Sequence, residues 1–147
     1  METKDWIVLL IPILCNGLIF YFIQWLFDNK REKTRQIRDN KTPYYDLFRA
    51  KIDDSLALYS QICDIISKQN IQHDELVKAT SRFIDSTKVV FNYYRTNHTV
   101  FQSFENDADR LAKKRFELNQ YVTTGELNQL REILAIMKDK CINYEGI

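Results

Sequence analysis

The chain has 147 residues, 28% of them charged, with a net charge of +1 and only three Gly and two Pro. A strongly basic or acidic partner surface is therefore excluded as a whole-chain property, and so is a turn-rich β architecture, because few residues suit tight turns. Three cysteines, Cys15, Cys63 and Cys141, are too few and too scattered for a disulfide framework.

The first element is the run Trp6–Phe27, WIVLLIPILCNGLIFYFIQWLF, which carries no charged residue. A bilayer core about 30 Å thick needs about 20 apolar residues at about 1.5 Å each, so the run is expected to be a transmembrane helix. A cleavable signal peptide would have a positive leader and a small-residue cleavage site. Here Glu2 and Asp5 outweigh Lys4, and the run ends in bulky Trp25, Leu26 and Phe27. Trp6 at one end, with Tyr21 and Trp25 near the other, are of the types that settle at headgroup level.

Inside the run, Pro12 lacks an amide hydrogen and is a potential kink. Asn16, Gly17 and Gln24 are the candidates for helix association in the membrane: the amides seek a hydrogen-bond partner, and glycine lets a second backbone approach. Ile13 and Tyr21 flank Gly17 at four residues, so the motif of small residues four apart is incomplete.

Residues 28–42 form the expected juxtamembrane stalk, a polar continuation of the helix. Lys30, Arg31, Lys33, Arg35, Arg38 and Lys41 follow the span, against Lys4 alone before it. Positive residues are retained on the cytoplasmic side, which places residues 1–5 outside and the remainder in the cytoplasm. Lys30, Arg31, Lys33, Arg35 and Arg38 are the candidate contacts to anionic lipid headgroups. The stalk is expected to end at Thr42-Pro43, since a residue before proline is pushed out of the helical region.

Residues 43–147 are near neutral: from Tyr44 onward, 14 Lys or Arg face 15 Asp or Glu, without the footprint of a nucleic-acid binder. The periodicity predicts four helices in an all-α, antiparallel bundle. The first shows Tyr45, Phe48, Ile52, Leu56, Tyr59, Ile62, Cys63 and Ile66 on one face. After a turn at 70–73, the second carries Leu76, Phe83, Ile84, Val90, Phe91 and Tyr94, with Asp74 and Glu75 in its opening turn. The third runs 101–122 with a heptad-like seam of Phe101, Phe104, Ala108, Leu111, Leu118 and Val122, interrupted by Arg115. Thr123 and Glu126 match a capping box, and the fourth helix repeats Leu127, Leu130, Leu134, Met137 and Cys141.

Catalytic constellations are not found. His73 and His98 sit alone in turns, and there is no HExxH, P-loop, nucleophile elbow or glycine-rich dinucleotide loop. Cys63 and Cys141 read as small core residues, and Glu105–Asp109 as the opening turns of the third helix rather than a calcium loop. Two sequons, at Asn40 and Asn97, are short matches of the kind that arise by chance. No cofactor, metal, nucleic acid or small-molecule substrate is expected.

The remaining feature is the basic cluster Arg110, Lys113, Lys114 and Arg115, a candidate docking surface for an acidic partner. The general form, an amino-terminal anchor with a charged stalk and a small helical domain, looks like that of many small bacterial membrane proteins, a resemblance of architecture that covers no diagnostic motif. The expected function is non-enzymatic: a membrane-anchored bundle that binds a partner protein or itself. The alternative is an oligomerising membrane-perturbing effector or small channel, whose spans meet through Asn16, Gly17 and Gln24 and whose bundle triggers assembly.

Overall fold

The computed structural model describes the backbone of residues 3–68, 70–118 and 122–144, and the side chains of these from residue 20 onward. The described residues form four α-helices and one short 3-10 turn: α1 Thr3–Ser67, α2 His73–Thr96, a turn Gln102–Phe104, α3 Glu105–Glu117 and α4 Thr124–Ile142. Two compact units result, one ending at Asn40 and the other spanning Lys41–Glu145.

In the first unit, every described side chain from Phe20 to Asn40 is exposed. Phe20, Tyr21, Phe22, Ile23, Trp25, Leu26 and Phe27 follow one another around the helix, all exposed, with Phe22 and Trp25 stacked along it. Among the described residues no helix is long and apolar enough to cross a membrane. Most of the apolar run, residues 6–19, lies outside the residues whose side chains are described, Asn16 and Gly17 among them.

The second unit is an antiparallel bundle, and named contacts fix its register. Along α1 and α2, Phe48 stacks with Tyr93 and Tyr59 meets Phe83, so the chain order runs in opposite directions. Along α1 and α4, Lys138 Nζ lies 2.7 Å from Asp53 Oδ1 and the Tyr59 hydroxyl donates to Asn128 Oδ1, while Tyr144, just past α4, stacks on Tyr45. Lys140 of α4 pairs with Asp107 of α3 at 2.5 Å. The four helices thus alternate up and down, as short connections favour.

The helix faces bury what their periodicity requires, with instructive exceptions. In α1 the buried stripe is Tyr45, Phe48, Ile52, Ser55, Ile62 and Ile65, while Cys63 and Ile66 are exposed. Cys63 is therefore not a core residue, because the stripe turns past it to Ile62 and Ile65. Ser55 joins the core because its hydroxyl donates to the Lys51 carbonyl one turn back, which satisfies it without a second helix. Thr87 of α2 does the same with the Ile84 carbonyl.

Two expected helix ends differ. The helix does not stop at Thr42-Pro43. Pro43 is exposed, so the carbonyl it leaves without an amide donor, that of Asp39, faces water. One missing hydrogen bond is tolerated where tertiary packing of Tyr45 and Phe48 begins within two residues.

The third helix, in contrast, is shorter than the expected 101–122. Phe101 (φ −109°, ψ 33°) precedes a 3-10 turn, and Leu118 (φ −62°, ψ 119°) ends α3 in extended backbone. Phe101 and Phe104 are nevertheless buried, and Leu118 packs partly against the core. Acidic Glu105 and Asp107 in the first turn of α3, with Lys114 and Arg115 in its last, complement the helix dipole. The expected capping box of α4 is present: Glu126 N–H donates to Thr123 Oγ1, and Thr123 N–H donates to Glu126 Oε2 at 2.7 Å.

An aromatic cluster of Tyr45, Phe48, Phe101, Phe104 and Tyr93 fills the end of the bundle at the start of its first helix. Phe48 is fully buried at its centre, against Phe101 at 4.6 Å and Phe104 at 5.5 Å between ring centroids. Phe48→Ala should cost about 3–5 kcal/mol of stability. Phe116→Ala, at a ring 93% exposed, should stay within about 0.5 kcal/mol. Urea unfolding of the two variants of the detergent-solubilised chain, followed by circular dichroism, checks the contrast; equal losses would refute the placement of Phe48.

Candidate functional site

Of the four basic residues singled out on α3, the fold brings three together. Arg110, Lys113 and Lys114 lie at helical spacing on one face, and α4 packs antiparallel beside it. With Gln129, Glu132 and Ile133 they line a groove of about 300 Å³. Its floor is apolar, since Ile133 is buried, and its rim carries the charges.

Those charges are partly spoken for. Lys114 Nζ lies 3.0 Å and Lys113 Nζ 4.0 Å from carboxylate oxygens of Glu117, and Arg110 Nη1 is 3.7 Å from Asp107 Oδ1. All three basic side chains remain substantially exposed, so such pairs are weak and exchangeable with an incoming carboxylate.

Arg115 does not belong to this groove. It sits on the half-buried side of α3, where its Nε is enclosed without a hydrogen-bond partner among the described residues. Burial lowers its pKa from the ordinary value, and the nearby Asp85 carboxylate works against that shift. The residue that interrupts the apolar seam thus lies apart from the groove, within the influence of Asp85 on α2.

The groove is held in place by a polar contact the sequence concealed. Asp107 is buried, and its carboxylate takes Lys140 of α4 at 2.5 Å in addition to Arg110. Lys140 also donates to the Ser103 carbonyl and lies 5.9 Å from the Phe104 ring centroid. The spacing of 33 residues between Asp107 and Lys140 carries no local signal. Gln129, Glu132 and Ile133 were missed for the same reason: their role depends on which helix α3 packs against.

The membrane-side candidates fall in the first unit. Asn16 and Gly17 lie outside the residues with described side chains. Gln24 is exposed and borders two shallow grooves, one with Phe20, Ile23, Phe27, Asp28 and Arg31, the other with Tyr21, Trp25 and Asp28. Lys30, Arg31, Lys33, Arg35 and Arg38 are all exposed, and at 100° per residue they spread over about 200° of the helix circumference.

The two histidines stand where turns were expected, His73 opening α2 and His98 in the turn after it, both exposed. Among the described residues no three His, Cys, Asp or Glu side chains come together in a way that would hold a metal. Cys141 is buried, and burial pushes its thiol up to about 12. No family model, curated protein or solved structure matches the chain.

The Cys141 shift has a definite sign. Its folded pKa lies above the ordinary 9.0, so its contribution is fully present below pH 9 and is lost as pH rises toward 12. In that window the unfolded chain ionises the thiol and the folded one does not, weakening folding by roughly tenfold per pH unit. At pH 8, iodoacetamide should alkylate exposed Cys63 and leave Cys141 intact until urea unfolds the bundle, as peptide mass mapping would show. Equal labelling of both in the folded protein would contradict the assignment.

Proposed function

We propose that this chain is a non-enzymatic, single-pass membrane protein whose helical bundle docks a protein partner at the cytoplasmic face of the membrane. The observation that carries the reading is the contrast between the two units. The bundle buries Tyr45, Phe48, Phe83, Phe101 and Phe104, whereas Phe20, Tyr21 and Phe27 in the first unit are 70%, 76% and 62% exposed. Exposed apolar residues on all sides of one helix, continuous with an uncharged run back to Trp6, suit a lipid environment.

The cations that follow suit the point where a helix leaves the bilayer. Lys30, Arg31, Lys33, Arg35 and Arg38 are all exposed and spread over a little more than half of the helix circumference, within reach of anionic headgroups. Their excess over the single Lys4 orients the bundle to the cytoplasm.

The docking face is the α3–α4 groove. Its apolar floor at Ile133 and its cationic rim at Arg110, Lys113 and Lys114 suit an acidic segment that places one apolar side chain in the groove. Lysine and arginine at such a rim mainly steer association, so charge reversal acts strongly on rate and salt dependence.

Two measurements test this reading. After alkaline carbonate extraction the full chain should stay in the membrane pellet. Phe20→Arg combined with Ile23→Arg should release it, since each charge costs about 2.5–3.5 kcal/mol near the centre of a span and somewhat less toward its end. Lys113→Glu with Lys114→Glu should lower affinity for a fluorescent glutamate-rich peptide at least tenfold without changing the thermal midpoint. Release of the wild-type chain would overturn the anchor, and unchanged peptide binding would overturn the groove.

A further inference from the structure

The groove beside Gln24 has a feature that a simple anchor does not require. Two rows of side chains four residues apart, Phe20-Gln24-Asp28 and Ile23-Phe27-Arg31, enclose it on the helix surface. Rows of this kind are the ridges that interdigitate when two helices pack by their four-residue ridges. Gln24 lies between Tyr21 and Trp25 toward the headgroup end of the run, where its carboxamide can pair with that of a second helix.

The charges at the end of the groove point to the nature of that helix. Asp28 and Arg31 are three residues apart on the same helix, yet neither takes part in an ion pair among the described residues. A twofold axis parallel to the helix brings the acidic group of one copy beside the basic group of the other, twice over. Self-complementary charge on one face is a property of an isologous contact, whereas a heterologous partner would have to mirror it by chance.

We infer that this face pairs with the same face of a second copy of the chain, in parallel, with Gln24 against Gln24 and Asp28 against Arg31 across the axis. The inference rests on the anchor reading, because insertion in one orientation is what makes the two helices parallel. Its consequence is a dimer that presents two α3–α4 grooves on the same side of the membrane. Two linked sites raise effective concentration for a repetitive acidic partner.

The test is the mass of the full chain in detergent micelles by light scattering, with dissociation followed by energy transfer between labelled copies in vesicles. Wild type should be a dimer of the 17.6 kDa chain. Gln24→Leu should weaken it about three- to tenfold, in line with interhelical amide pairs in membranes. Asp28→Arg alone and Arg31→Asp alone should each weaken it, and the two combined should restore it, a rescue that a general effect on insertion would not give. Phe22→Leu, on the opposite side of the helix, should leave the dimer unchanged.

A wild-type monomer, or a dimer indifferent to Gln24→Leu and to both charge reversals, would overturn the inference. Single reversals that weaken the dimer without rescue by the swap would overturn it equally. Carbonate extraction of the same samples separates the two readings: a monomer retained in the membrane refutes the pairing alone, whereas a chain released from the membrane refutes the anchor beneath it.

Discussion

The bundle depends on the packing of Phe48. Its ring meets Phe101, Phe104 and Tyr93, and Tyr45 one turn earlier extends the same cluster to Tyr144. Side chains from α1, from the connection before α3, from α2 and from the segment after α4 therefore converge at one end of the unit. Aromatic rings bury large areas and gain from tilted contacts, so this end carries a disproportionate share of the stability. The connection between α2 and α3 feeds this cluster, since Phe101 and Phe104 at the two ends of the 3-10 turn are both buried and meet edge to face.

A second constraint, the Asp107–Lys140 pair, works at the α3–α4 seam beside that cluster. A buried carboxylate needs its partner, and removing either side would leave an uncompensated charge or a cavity. By fixing α3 against α4, the pair sets the width of the groove that Arg110, Lys113 and Lys114 border. Core packing and candidate docking face are thus joined through one polar contact, and the aromatic Phe104 lies beneath the same lysine.

How much of this was legible in the sequence varied by element. The fourth helix was read almost completely, since Leu127, Leu130, Leu134, Met137 and Cys141 recur at clean helical spacing behind a Thr123–Glu126 capping box. The first amphipathic face was read with a drift at its end, where Cys63 and Ile66 are apolar by composition but Ile62 and Ile65 are the residues that turn inward. Ser55 and Thr87 were hidden because their hydroxyls are satisfied by their own helices, which periodicity in apolar residues cannot register. Pro43 misled because its local preference is real but its ring faces solvent in a helix held by packing downstream. Of the docking cluster, the residue types were visible and the grouping was not. Only the pairing of α3 with α4 separates Arg115 from Arg110, Lys113 and Lys114 and adds Gln129, Glu132 and Ile133.

The central claim is that the apolar segment ahead of the bundle resides in lipid, and the chain carries its own probe for it. Its two tryptophans, Trp6 and Trp25, both lie in that segment, so tryptophan emission reports on it alone. In vesicles with acyl chains brominated at defined depths, the account predicts blue-shifted emission quenched most strongly by bromines near the headgroups, where the two indoles sit at opposite interfaces. Emission characteristic of water, unaffected by bromine at any depth, would contradict it.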